Sequence, residues 1–176
     1  MKSKKITSIG LLVALSLVAG LLIHFPIFLQ FPDLIYDPGS VFLLIGSFKL
    51  GPRNGLLMSF LTATLFALIT GKGGHYGALM NFLATGTLVF VSSQIYLLNH
   101  TKKGAILGMI FGTLAMTLVM IPANLIIMPI YLNITKEVVS KWIVPFIIPF
   151  NLIKGIISGV LTFILYKRLY PLIISQ

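Results

Sequence analysis

From Ile6 to Gln30 the chain carries no lysine, arginine, aspartate or glutamate, and the same holds from Asn54 to Gly71 and from Gly104 to Thr135. Runs of this length constrain the fold more than any other feature. A helix needs about 20 mainly apolar residues to cross the hydrocarbon of a bilayer. Inside lipid every backbone N–H and C=O must be satisfied within the spanning structure itself. The remaining composition agrees. Charged residues make up only 9% of the 176, against about 25% in a soluble domain, and a water-facing surface cannot be built from so few. The chain is therefore read as an all-α, polytopic membrane protein. Zero cysteines exclude disulfides, thiolate metal sites, a Cys nucleophile and lipoprotein acylation. The amino terminus, Lys2, Lys4 and Lys5 before an apolar run, has the outline of a signal peptide. The run continues through Leu29 and further spans follow, so it is read as a retained first helix.

The polar and Gly/Pro-rich breaks predict six helices: Ile6–Gln30, Pro38–Leu50, Gly55–Thr70, Ala78–Leu98, Gly104–Tyr131 and Val144–Tyr170. Pro26 is a point where the first of these bends or ends. Asp37-Pro38 has the form of an N-cap followed by Pro at the first helical position. The second helix would be roughly 20 Å long at about 1.5 Å per residue, too short to cross the hydrocarbon alone. Gly71-Lys72-Gly73-Gly74-His75-Tyr76-Gly77 reads as a glycine-rich loop, with closure over an outer cavity or a plain water-facing surface as the two readings. With no internal repeat and no linker, residues 1–176 form a single compact six-helix bundle in this reading.

The formal net charge of +10 comes from 13 Lys+Arg against 3 Asp+Glu. In a soluble chain that imbalance would suggest nucleic acid; here sidedness accounts for it. With the amino terminus cytoplasmic, the inner segments hold Lys2, Lys4, Lys5, Lys49, Arg53, Lys102, Lys103, Lys167 and Arg168. The outer loops hold Lys72, Lys136 and Lys141, together with Asp33, Asp37 and Glu137. This bias follows the positive-inside rule with both termini cytoplasmic, and a nucleic-acid partner becomes unnecessary. Small residues recur at four-residue spacing in Gly104-x-x-x-Gly108-x-x-x-Gly112, Gly155-x-x-x-Gly159, Gly10-x-x-x-Ala14 and Ser16-x-x-x-Gly20. Such faces let helices approach closely in lipid. They serve packing within the bundle or, above all for the first helix, docking against a partner.

One basic residue is left over. Lys154 lies about ten residues inside the sixth helix, where an ammonium costs about 2.5–3.5 kcal/mol on insertion scales and usually faces a cavity or partner. Asn151 stands one turn earlier on the same face. A lysine offers three donors and an asparagine both donors and an acceptor, a set suited to a neutral ring with carbonyls and an imide N–H. The alternative is a structural lysine that snorkels or meets a carbonyl. No acid falls within a predicted span to neutralise it, which favours a ligand. Asn81 and Asn124 are further candidates, against the alternative of helix–helix hydrogen bonds. Asn124 follows Pro122, whose missing N–H would open the helix there. Asp33 and Asp37 are placed to cap the second helix or to receive ligand hydroxyls, capping being favoured for Asp37. His24 and His100 lack companions at ligand spacing, so no metal site is expected.

Catalytic readings fail. There is no G-x-x-x-x-G-K-[ST] loop, no H-E-x-x-H, no G-x-S-x-G and no intramembrane pair of acids. The chain reads as a binder, not an enzyme, and needs no cofactor of its own.

Gly77-Ala78-Leu79-Met80-Asn81-Phe82-Leu83-Ala84-Thr85-Gly86 resembles the fourth-helix motif of the riboflavin-specific substrate-binding subunits (S components) of energy-coupling factor (ECF) transporters. Asp37-Pro38-Gly39-Ser40-Val41 with Gly51-Pro52-Arg53-Asn54-Gly55 is similar to that family's second-helix and turn pattern. Ala123-Asn124 with Pro129-Ile130-Tyr131, and Asn151-x-x-Lys154, are similar to its fifth- and sixth-helix elements. The family's first helix typically carries Ala-x-x-x-Ala, to which Gly10-x-x-x-Ala14 and Ser16-x-x-x-Gly20 are the nearest matches here.

The resemblance implies a bacterial cell-membrane subunit that captures riboflavin from outside. It would deliver the vitamin inward by toppling, with a transmembrane coupling subunit and two ATPases. It further implies that Asn151 and Lys154 meet the polar edge of the isoalloxazine ring. Asn81 and Asn124, with Met80 and Tyr131 of their motifs, would line the same pocket. The segment Asp33, Leu34, Tyr36 and Asp37 would meet the ribityl chain, and Gly10, Ala14, Ser16 and Gly20 would dock the coupling subunit. The competing expectations are an S component for another vitamin or for flavin mononucleotide, and a stand-alone secondary carrier.

Overall fold

The computed structural model describes the backbone of residues 2–31, 34–71 and 73–174, and the side chains within them from 3 to 166. Helix α1 (Lys2–Leu22) leads into a hairpin of two very short strands, β1 (Phe25–Pro26) and β2 (Ile35–Tyr36). Then come α2 (Gly39–Leu50), α3 (Pro52–Thr70), α4 (Gly74–Leu98), α5 (Lys102–Leu132), α6 (Lys136–Trp142), one π-turn (Ile143–Ile147) and α7 (Ile148–Ile174). Because α6, the π-turn and α7 follow without a break, the chain makes six helical rods. Among the described residues, five helices are long and apolar enough to cross a membrane, and α2 is the short one.

Several boundaries differ from the sequence expectation. The first helix stops at Leu22 rather than Gln30. Pro26 lacks the N–H a helix would need and pushes Phe25 into extended backbone, and Phe25–Pro26 instead pairs antiparallel with Tyr36–Ile35. The Ile27 N–H closes the hairpin on the Leu34 carbonyl at 3.1 Å. The sixth rod starts at Lys136 rather than Val144. Thr135 provides an extended residue at its N-cap and Glu137 lies in the first turn, where a helix dipole favours negative charge. The charges of Lys136, Glu137 and Lys141, read from sequence as a loop, decorate exposed helix. Pro145 then cannot bond back one normal turn, and the rod widens so that the Ile148 N–H bonds the Ile143 carbonyl. Finally, His75 and Tyr76 belong to the first turn of α4 and not to a loop. Pro122 and Pro129 likewise lie inside a continuous α5, so the helix is not broken beside Asn124.

Backbone geometry calls for glycine at the turns between helices. Gly51 joins α2 to α3 at φ 89° and ψ 165°, a region closed to other residues, with Pro52 at the start of the next helix. Gly73 caps α4 at φ 68°.

The small-residue faces of α5 and α7 are internal. A Cβ on Gly104 would strike the carbonyl of Asn99 at the end of α4, one on Gly108 that of Ser92 within α4, and on Gly112 it would meet the Leu88 carbonyl at 2.7 Å. Gly155 of α7 lies against Thr113 of α5. On α1 the two candidate faces separate. Ser16, 1% exposed, donates its hydroxyl to the Gly39 carbonyl at 2.9 Å, and Gly20 faces Phe66 and Asp37. These two are covered by this chain itself, which differs from the expectation of a face open to a partner. Gly10 and Ala14 are exposed, and a Cβ on Gly10 would touch nothing within 4 Å.

The core centres on α2, whose Leu43, Leu44 and Ile45 are almost wholly buried, with α1, α3, α4 and α7 packed around it. The outer faces carry exposed Leu107, Ile110, Phe111, Leu114 and Leu118 on α5 and Ile156, Val160 and Phe163 on α7. This is the surface lipid would cover.

Candidate functional site

A cavity of about 510 Å³ opens between the hairpin, α3, α4, α5 and α7. That lies within the roughly 300–1,000 Å³ occupied by small-molecule sites. Each helix contributes residues at helical spacing: Ala63, Phe66 and Ala67 from α3; Gly77, Met80, Asn81 and Ala84 from α4; Met120, Asn124 and Met128 from α5; Ile147, Phe150, Asn151 and Lys154 from the last rod. Leu34, Ile35 and Asp37 close one side, with His24, Tyr131 and Leu132 completing the wall. The hairpin is clasped from outside by aromatic contacts. Phe31 lies 4.4 Å from Phe146 and 5.0 Å from Trp142 between ring centroids, and Phe28 lies 5.6 Å from Phe146.

The wall is mostly apolar, and its polar groups have assignable roles. Asn151 donates its amide N–H to the Ile147 carbonyl at 2.8 Å. A carbonyl can only accept, so the amide orientation is set and Oδ1 is left as an acceptor. That Oδ1 is buried and has no hydrogen-bond partner. Asn124 is oriented in the same way by the Met120 carbonyl at 2.6 Å. Asn81 is oppositely disposed: its Oδ1 accepts the Thr85 hydroxyl at 3.1 Å, which leaves the NH₂ as donor. The wall thus presents amide acceptors, an amide donor and an ammonium around an apolar chamber.

Lys154 is not without an acid. Its Nζ lies 3.3 Å from Asp37 Oδ2, with side chains 7% and 22% exposed. The other carboxylate oxygen accepts the Gly39 N–H at 3.0 Å, so Asp37 both braces the entry to α2 and pairs with the lysine. The expectation of an unpaired lysine is therefore corrected. The acid comes from the hairpin end rather than from a span, and the two residues are 117 apart in sequence.

Of the residues expected at the site, Leu34, Asp37, Met80, Asn81, Asn124, Tyr131, Asn151 and Lys154 all line the cavity. Tyr36 does not. As alternate residues of a strand point to opposite faces, its neighbours Ile35 and Asp37 reach the cavity while Tyr36 is 2% exposed in the protein interior. Burial pushes its phenol up from the ordinary value. Asp33 lies outside the described residues. Sequence reasoning missed Phe66, Met120, Met128 and Phe150. The signal for three of them was present, since Met120 and Met128 stand four residues either side of Asn124 and Phe150 four before Lys154.

Comparison with known proteins gives consistent relatives. The family model for the ECF transporter substrate-specific component matches residues 4–166. The riboflavin transporter RibU of Staphylococcus aureus (strain TCH60) is 32% identical over 131 residues, which cover 74% of this chain and 68% of that protein. The riboflavin transporter FmnP of Bacillus subtilis (strain 168) is 28% identical over 135 residues, covering 74% and 70%. A solved structure described as "Structure and mechanism of the S component of a bacterial ECF transporter" aligns with a TM-score of 0.84 and 29% identity, over 99% of each chain.

Proposed function

This chain belongs to the substrate-specific (S) components of ECF transporters, and we propose that within that family it is the riboflavin-binding subunit of a vitamin importer. The observation that carries the ligand is the polar set on the cavity wall, above all the buried acceptor of Asn151 and the Lys154 ammonium. The polar edge of an isoalloxazine ring is an imide N–H between two carbonyls. The N–H suits Asn151 Oδ1, and the carbonyls suit Lys154 and the free amide hydrogens of Asn81. Phe66, Phe150, Met80, Met120, Met128 and Tyr131 offer apolar surface to the ring faces. The hairpin end at Leu34 and Asp37 then faces the ribityl chain.

The orientation follows from charge: both termini are cytoplasmic and the cavity opens outward. The exposed Gly10–Ala14 face of α1 docks the transmembrane coupling subunit, and two ATPases supply the hydrolysis this chain has no motif for. Residues 1–176 act as one substrate-binding domain in a bacterial cell membrane. The test is a flavin titration of the protein purified in mild detergent. Quenching of riboflavin fluorescence to a saturating endpoint is expected; colourless protein that leaves added riboflavin unquenched overturns the assignment.

A further inference from the structure

Asp37 stands where three elements meet. Its Oδ1 is fixed by the Gly39 N–H at 3.0 Å, and ideal Cβ atoms built on Gly39 and Gly20 would lie 2.8 and 3.5 Å from it. The α1–α2 joint behind it is closed by the Ser16 hydroxyl on the Gly39 carbonyl. Oδ2 faces Lys154 Nζ at 3.3 Å on the cavity wall. The carboxylate is thus immobilised from behind and offers one oxygen to the only ammonium lining the cavity among the described residues.

We infer that Asp37 is a positioning residue for Lys154: it occupies one of the three ammonium donors, aims the others into the cavity, and cancels the lysine charge. The site consequently receives the ring with its imide protonated, and an unpaired ammonium would instead favour the anion. This rests on the riboflavin reading and adds a charge rule to it. Besides Asp37 and Lys154, the titratable groups on the wall are His24 and Tyr131, while α3 and α4 contribute none among the described residues.

The experiment follows the absorbance of riboflavin bound to the purified protein as pH is raised, which reports loss of the imide proton to solvent. In Asp37→Asn the bound flavin is expected to deprotonate at least one pH unit lower than in wild type, with Asp37→Glu restoring the wild-type profile. Binding with an unshifted profile in Asp37→Asn overturns the inference. If that variant does not bind or accumulate, Lys154→Met is compared with Lys154→Met/Asp37→Asn. Tighter riboflavin binding by the double variant supports the pairing, because it removes a stranded carboxylate. Binding no tighter than Lys154→Met overturns it, since Asp37 then serves the ligand independently. Failure of wild type to bind riboflavin sinks the proposed function instead. The inference is then decided on the empty protein, by whether the double variant melts above Lys154→Met or not.

Discussion

Replacing Asn151 with leucine separates function from fold, because the empty protein gains little from this asparagine. Its amide bonds the Ile147 carbonyl, one helical turn back, and its Oδ1 is buried without a partner. A buried acceptor left unmade costs about 1–3 kcal/mol, against roughly 0.5–1.5 kcal/mol returned by an ordinary hydrogen bond. Asn151→Leu is close to isosteric and removes both, so the empty protein is expected to melt at or above the wild-type temperature. With riboflavin bound the balance reverses. The imide N–H that met Oδ1 now faces a methyl group and is itself stranded, at about 1–3 kcal/mol, or roughly 5- to 150-fold in Kd. Fluorescence titration and thermal melting on the same detergent preparation measure both quantities. Weakened binding with undiminished melting is the predicted pair. Unchanged affinity would show that Oδ1 is not the ligand's acceptor, and a fall in both would return Asn151 to a packing role.

Lys154→Ala is expected to weaken riboflavin binding by about 1.5–3 kcal/mol, as for a lost charged hydrogen bond, and an unweakened fluorescence titration would contradict it. Gly112→Leu forces a side chain against Ser92 and the Leu88 carbonyl of α4. The cost should be at least about 1–3 kcal/mol of stability, read as a lower melting temperature; no drop would mean α4 and α5 are not so closely packed. Gly10→Leu adds bulk where nothing lies within 4 Å, so melting and riboflavin affinity should stay at wild-type values while co-purification with the coupling subunit is lost. Retained co-purification would place the docking face elsewhere.

The bundle and most of the cavity wall were legible in the sequence for one reason: in lipid a polar side chain is costly, so each one inside a span stands out. Asn81, Asn124, Asn151 and Lys154 were found that way, and stepping four residues from them along each helix recovers Met120, Met128 and Phe150. Hydropathy is blind where apolar residues leave the helix. Phe25 and Pro26 are as apolar as the helix before them, so only the missing proline N–H marks the change to a hairpin that returns Asp37 to the cavity. In the sequence Asp37 reads as a cap of the second helix or a receiver of ligand hydroxyls, but nothing there joins it to Lys154, 117 residues away, so the counter-charge went unseen.

The Asp37–Lys154 pair bears on which ligand the cavity takes. An unpaired ammonium in an apolar chamber would favour anions, although the Asn151 and Lys154 pair by itself already suited a neutral ring with carbonyls and an imide N–H. A lysine held by Asp37 is a neutral unit with donors to spare, and such a unit selects by hydrogen-bond pattern instead. Between ligands of equal size, the decisive feature becomes an N–H set beside carbonyls, because only that pattern satisfies the stranded oxygen of Asn151 and the donors of Lys154 together.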